Sequence, residues 1–122
     1  MDTSILVGFE QRRLIQEQVP SHAGISVLTL EELWLGVLTA EPQALADRRA
    51  TYDVAARSLP ALPVDGPVAL ACGDIRADGR RRGVRYAPVD SLIAATARVH
   101  GLPLYTQDAG MAGMIGVDVR VV

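Results

Sequence analysis

Short apolar runs alternate along this chain with longer segments whose apolar residues recur every three or four positions. The runs that predict strands are residues 24–27, 103–106 and 117–122, and residues 5–7 are interpreted as the end of a first strand or the turn that leaves it. A further brief strand is possible in the proline-punctuated connector at 59–64. Strands that alternate with helical segments predict an α/β fold with a mostly parallel sheet flanked by helices.

The helical segments carry recognisable start and stop signals. Helices are predicted over residues 9–18, 30 to about 38, 42 to about 59, 65 or 66 to about 77, and 88–100, with a short helical turn at 109–114. Thr29 is predicted as an N-cap, because Glu32 follows it at the spacing of a capping box. Gly101 stands where a helix commonly ends. No repeat or linker interrupts the pattern, so residues 1–122 are predicted to form one domain.

Charge and composition exclude some functions. The net charge of −2 provides no whole-protein attraction for nucleic acid, so any such binding must come from local patches. All 12 strongly basic residues are arginine. The absence of lysine excludes a P-loop NTPase, whose phosphate-binding loop requires one, and argues against a phosphorylated receiver domain.

Cys72 is the only cysteine, which excludes an intrachain disulfide and a cysteine-rich zinc site. We expect it to be a small core residue on a helix. No apolar run approaches the roughly 20 residues of a membrane span, and no signal peptide opens the chain. These features together predict a cytoplasmic protein.

Four carboxylates stand at the ends of predicted elements. Asp2 lies at the mouth of the first strand, Glu32 in the first turn of a helix, Asp90 at the start of another helix, and Asp108 at the end of a strand. The carboxyl ends of parallel strands share one edge of a sheet, so the four are predicted to converge there. Oxygen ligands favour Mg²⁺ or Mn²⁺, and such ions promote phosphodiester cleavage.

Several short motifs are spread over essentially the whole chain, and their order along it is typical of one protein family. They are Asp2-Thr3-Ser4, residues 25–29 leading into Glu32-Leu33 and then Gly36, Asp90 with residues 92–97, residues 101–104, and Thr106-Gln107-Asp108. With this set the chain resembles the PIN-domain ribonucleases and, among them, the VapC toxins of bacterial type II toxin–antitoxin pairs. The resemblance implies a three-layer α/β/α fold with about four or five short strands.

The resemblance also implies roles for individual residues. The acidic quartet Asp2, Glu32, Asp90 and Asp108 would hold Mg²⁺ or Mn²⁺ and carry catalysis, with Thr3 or Ser4 and Thr106 as supporting hydroxyls. Glu31 would point elsewhere, because one helical step turns a side chain by about 100°. The family further implies an endoribonuclease that is usually a homodimer and is inhibited by a cognate VapB-type antitoxin.

The resemblance is incomplete at the N-terminus. Family members usually place several apolar residues before the first aspartate, whereas Asp2 directly follows Met1 here. The first strand is therefore expected to be shortened, and our hypothesis is that the start of the chain has been assigned a few codons late.

The remaining expectations concern binding. Arg80, Arg81, Arg82 and Arg85 lie in a predicted glycine-flanked loop and are the candidates for contacts to RNA phosphates. Trp34 is interpreted either as a core residue or as an exposed anchor for an antitoxin. Two other functions stay open: a DNA-directed or structure-specific nuclease with the same metal chemistry, and a non-catalytic module that binds RNA or protein.

Overall fold

The computed structural model describes residues 24–122 of the chain. The predicted first strand and the helix at 9–18 lie outside the described residues, as do Asp2, Thr3 and Ser4. The described elements, in chain order, are β1 (Ile25–Ser26), α1 (Val27–Leu38), α2 (Leu45–Ser58), β2 (Ala61–Leu62), α3 (Gly66–Arg81), α4 (Pro88–Val99), β3 (Leu104–Thr106), a 3₁₀ turn (Ala109–Met111) and β4 (Val119–Val121).

The four described strands form two parallel pairs. β1 pairs with β2, with Ile25 opposite Ala61, and β3 pairs with β4, with Leu104 opposite Val119. Parallel strands need long crossovers, and in both pairs helices or turns occupy the connection. The expected α/β fold with short parallel strands is confirmed, although the last strand is shorter than the predicted 117–122 and the turn at 109–114 is helical only at its start.

Helix α1 begins three residues earlier than predicted. Its N-cap is Ser26, whose hydroxyl oxygen accepts a hydrogen bond from the Leu28 amide at 3.2 Å. The prediction that Thr29 caps the helix was wrong, because Thr29 is fully buried on the face that packs inward together with Leu33. Glu32 consequently lies in the second turn of the helix rather than in the first.

Two other helix boundaries differ from prediction. Helix α2 begins at Leu45 instead of residue 42, since residues 42–44 form a turn in which the Ala44 amide donates to the Glu41 carbonyl. Helix α3 continues to Arg81 instead of ending near residue 77. Arg82 is its C-cap, and the next residue, Gly83, has a φ of 78°, the left-handed conformation of a Schellman motif. Arg80 and Arg81 therefore belong to a helix and not to the predicted loop.

Helices α3 and α4 pack closely and supply most of the larger core. The residues they bury recur at helical spacing, and β3 and the two following methionines close the core, whose main members are Val68, Cys72, Ile75, Ile93, Ala94, Leu104, Met111 and Met114. The expectation that Cys72 is a core residue is confirmed, and burial raises the pKa of its thiol against the opposing charge of Arg76.

The end of α4 follows the predicted stop signal. Gly101 has φ 64°, and the amides of Gly101 and Leu102 donate to the carbonyls of Arg98 and Ala97. This is again a Schellman motif. It turns the chain sharply into β3, so that Asp108 and the beginning of α4 are carried by the same packed unit. Within residues 24–122, no helix is both long and apolar enough to cross a membrane.

Candidate functional site

Asp108 is held in a defined position just beyond β3. Its backbone amide donates to the hydroxyl oxygen of the buried Thr106 at 3.0 Å, and its Oδ1 accepts from the Gly110 amide at 2.8 Å. The side chain is exposed, and Oδ2 forms no hydrogen bond to any of residues 24–122. Thr106 thus fixes the backbone of Asp108, and one carboxylate oxygen remains accessible.

Asp90 lies in the first turn of α4. Pro88 is the first residue of this helix, and the N-cap residue Ala87 makes no side-chain hydrogen bond to the first turn. Asp90 is the acidic residue of that turn. A carboxylate in this position is stabilised by the helix dipole. The neighbouring Ser91 is fully buried, and its hydroxyl donates to the Ala87 carbonyl at 2.8 Å. Asp90 itself is half-buried.

Glu31 and Glu32 point in different directions, as their adjacent positions on α1 require. Glu31 is exposed, whereas Glu32 is half-buried and lines a groove between α1 and α2. Helix α1 also packs against α4, the helix that carries Asp90. The assignment of Glu32 rather than Glu31 to the metal site stays a prediction.

The described part of the chain does not by itself assemble a metal site. Within residues 24–122, no three histidine, cysteine, aspartate or glutamate side chains are close enough together to hold a metal ion. Asp2, the fourth predicted ligand, and the hydroxyls of Thr3 and Ser4 lie outside these residues. The convergence of the acidic quartet therefore stays a prediction.

Arg82, one of the four arginines expected to contact RNA, is already engaged in the structure. Its guanidinium donates to Asp78 Oδ2, to the Tyr86 hydroxyl and to the Gly113 carbonyl, each at 3.0 Å. The bonds to Tyr86 and Asp78 raise the pKa of Arg82 above its ordinary value. Arg82 thereby connects the end of α3 to the segment around Gly113, a structural role that the sequence did not predict.

A different set of arginines shares a pocket. Arg76, Arg80 and Arg85 line it together with Tyr86, whereas Arg81 and Arg82 do not. Arg76 was missed by the sequence analysis. The available signal was its spacing from Arg80, because residues four apart share a helix face, but that signal required α3 to be predicted as far as Arg81.

Trp34 is neither fully buried nor fully free. The residue is 39% exposed, and its ring centroid lies 4.9 Å from that of Tyr52. The Arg49 guanidinium lies 5.7 Å from the centroid of the Trp34 ring. Leu35 and Leu38 on the same helix are exposed as well. The outer surface of α1 therefore presents exposed apolar side chains beside the packed pair of Trp34 and Tyr52.

Comparison with known proteins gives consistent matches. The family model described as PIN domain matches residues 1–114. The chain is 41% identical over 120 residues to Ribonuclease VapC4 of Mycobacterium tuberculosis, covering 97% of this chain and 92% of that protein. It is 37% identical over 101 residues to Ribonuclease VapC8 of the same species, covering 81% of this chain and 89% of that protein.

A solved structure shares the fold along nearly the whole chain. The structure of VapBC-5, a member of the VapBC family of toxin–antitoxin systems from Mycobacterium tuberculosis, matches with a TM-score of 0.82 and 31% identity. The match covers 99% of this chain and 95% of that one. The match to VapC4 and the match to this structure therefore each extend over nearly the whole chain.

Proposed function

The chain belongs to the PIN-domain family, and we propose that it is a Mg²⁺- or Mn²⁺-dependent endoribonuclease that acts as the toxin of a type II toxin–antitoxin pair. The observation that carries this proposal is the 41% identity to a protein named as a ribonuclease, sustained over 97% of the chain. The PIN-domain family model, which matches residues 1–114, supports the same fold and covers the positions of all four predicted carboxylates.

The donor chemistry of the described residues fits a hard divalent cation. Glu32, Asp90 and Asp108 offer only oxygen ligands, which Mg²⁺ and Mn²⁺ prefer. With Asp2 they would form the metal-binding and catalytic quartet, and Thr3, Ser4 and Thr106 would supply supporting hydroxyls. A cation bound there would lower the pKa of the attacking water and stabilise the charge that develops on the phosphate.

The protein's own residues contribute positioning. Thr106 and the Gly110 amide restrain Asp108, so its free oxygen is presented without a large loss of side-chain entropy. Asp90 is carried on a helix whose first turn favours the ionised carboxylate. Glu32 is half-buried on α1, a helix that packs on α4. Carboxylates on rigid elements keep the ligand geometry more constant than carboxylates on loops.

A toxin of this kind needs an inhibitor, and we propose a VapB-type antitoxin as the partner and a homodimer as the working form. The structural neighbour VapBC-5 is a member of a toxin–antitoxin family. The exposed apolar side chains of α1, Trp34, Leu35 and Leu38, offer a surface for such a partner. With RNA as substrate and an antitoxin as partner, we propose a cytoplasmic location.

Substrate choice tests the proposed function. We expect purified protein with Mg²⁺ to cut a single-stranded RNA oligonucleotide and to leave the DNA of the same sequence intact, because relatives are named ribonucleases. Chelation of the metal by EDTA should stop cleavage, and added Mn²⁺ should restore it. Gel analysis of end-labelled RNA and DNA provides the measurement.

Each other result of that assay has a definite meaning. Equal cleavage of both oligonucleotides would assign a nuclease that does not discriminate the sugar. Cleavage that persists in EDTA would contradict the metal-dependent mechanism. Metal binding and RNA binding without cleavage would indicate a non-catalytic module.

A further inference from the structure

A compact basic pocket lies beside the beginning of α4. Its volume is about 310 Å³ and its lining, here called the arginine pocket, consists of Arg76, Arg80, Arg85, Tyr86, Ala87 and Pro88. No acidic side chain contributes to this lining. Among residues 24–122, none of its three arginines forms an ion pair. Three arginines therefore line one concavity whose lining contains no acidic side chain of the described residues.

The fold brings these arginines together by specific local chemistry. Arg76 and Arg80 are one helical turn apart on α3, so their side chains share a face. The positive φ of Gly83 then reverses the chain, with the Val84 amide donating to the Gly79 carbonyl at 2.7 Å. This reversal returns Arg85 to the same face of the helix.

The wall of the arginine pocket is fixed by the aromatic ring of Tyr86. A Cβ atom on Gly79 would lie 2.8 Å from that ring, so only glycine lets the ring pack so closely on α3. The Tyr86 hydroxyl accepts a hydrogen bond from Arg82, which is itself bonded to Asp78. The ring is thus held at both ends, and the pocket does not depend on a ligand for its shape.

The chemistry of this pocket selects an oxyanion with several oxygens. Guanidinium groups bind phosphate through paired, parallel hydrogen bonds. A concave site lined by charges of one sign also concentrates the electrostatic potential more than a flat surface does. With a net charge of −2, the protein has no general attraction for polyanions, so a local cluster must supply it.

The location of the arginine pocket relates it to the proposed metal site. Pro88, on its rim, precedes Asp90 by two residues in α4, which is an axial rise of about 3 Å and a rotation of about 200°, so the pocket and Asp90 lie at the same end of the helix on different sides. On the basis of the proposed function, we propose that the arginine pocket holds a backbone phosphate of the RNA substrate that flanks the cleavage site. Arg76, Arg80 and Arg85 thereby set where the strand lies across the carboxylates.

RNA binding without cleavage tests this assignment. A fluorescein-labelled single-stranded RNA would be titrated by anisotropy with Asp90→Asn protein, with and without Arg80→Gln/Arg85→Gln. We expect the double substitution to raise Kd at least about tenfold at 50 mM salt and to reduce the salt slope by about one, as loss of one phosphate contact does. Both arginines are exposed, so the variant should fold normally.

The matched control removes the same charge from outside the pocket. Arg49→Gln/Arg57→Gln takes two exposed arginines of α2 that do not line the pocket, and it should change Kd by less than about threefold. Equal weakening of RNA binding by the two double variants would overturn the proposal, because the effect would then come from the total charge of the protein and not from the pocket.

Two further arms separate this proposal from its alternatives. A glutamate-rich peptide serves as a competing acidic partner. If Arg80→Gln/Arg85→Gln abolishes peptide binding and leaves RNA binding unchanged, the pocket recognises an acidic protein segment and the RNA assignment is overturned. Cleavage assays with Asp90 intact distinguish failure of the pocket assignment from failure of the proposed function. If the wild type cuts RNA and the double variant has the same KM as the wild type, the pocket assignment alone is overturned. If the wild type cuts no RNA, the proposed function is overturned.

Discussion

Replacing Asp90 with asparagine is expected to lower the rate of metal-dependent RNA cleavage on the order of a thousandfold. Asparagine keeps the shape of the side chain at the beginning of α4 but removes the charge that would bind the cation. Stabilisation of transition-state charge by a metal ion is worth several kcal/mol, and about 1.36 kcal/mol corresponds to each factor of ten. Initial rates on end-labelled RNA at saturating Mg²⁺ measure the effect.

Asp47→Asn is the matched control for this substitution. Asp47 lies in the first turn of α2, as Asp90 does in α4, so both changes remove one favourable charge from the start of a helix. Asp47 is exposed, and we expect the control to cleave RNA at the wild-type rate. Wild-type activity in Asp90→Asn would remove Asp90 from the catalytic set.

Ile75→Ala is expected to lower the free energy of unfolding by about 2–5 kcal/mol, the usual cost of truncating a buried aliphatic side chain. Ile75 is 0% exposed and lies where α3 packs against α4. A loss of this size is a large fraction of the stability of a domain of this length. Urea unfolding followed by circular dichroism, with the m-value checked for constancy, gives the measurement.

Leu70→Ala provides the comparison on the same helix. Leu70 is 76% exposed, so truncation removes little buried surface and should change stability by less than about 0.5 kcal/mol. Unfolding at two protein concentrations separates packing within the chain from association, because only an effect at an interface between copies depends on concentration. Similar losses in both variants at all concentrations would contradict the described core.

Sequence reasoning succeeded where the deciding chemistry is local. Pro88 begins α4 and Gly101 ends it, because a missing amide hydrogen and a permitted positive φ act on the backbone directly. The parallel pairing of short strands followed from their alternation with helices. These signals need no knowledge of which residues meet in space.

The errors arose where tertiary contacts decide the outcome. Ser26 and Thr29 both carry hydroxyls suited to an N-cap, and only the burial of Thr29 against its neighbours excludes it. Residues 78–81 contain a glycine and several charges and therefore resemble a loop. The helix continues through them because Gly79 allows the ring of Tyr86 to pack against α3, a contact that the linear sequence does not display.

The same limit explains the uneven prediction of the candidate site. Asp90 and Asp108 lie at element ends as predicted, whereas Glu32 lies in the second turn of α1 because the helix begins earlier than its sequence signals indicated. The structural role of Arg82 could not be predicted, because one of its hydrogen-bond partners, the Gly113 carbonyl, is distant in sequence. The shared helix face of Arg76 and Arg80 could not be predicted either, because the helix was expected to end near residue 77 and it continues to Arg81.

Calorimetric titration with Mn²⁺ most directly tests whether the predicted quartet binds a cation. We expect the wild-type protein to bind Mn²⁺, Glu32→Gln to bind it at least about tenfold more weakly, and Glu31→Gln to match the wild type. Even residues that only orient metal ligands are worth about 10- to 100-fold in affinity, so loss of a ligand should be clearly measurable. No Mn²⁺ binding by the wild type, or equal weakening by Glu31→Gln and Glu32→Gln, would contradict a metal site built on Glu32.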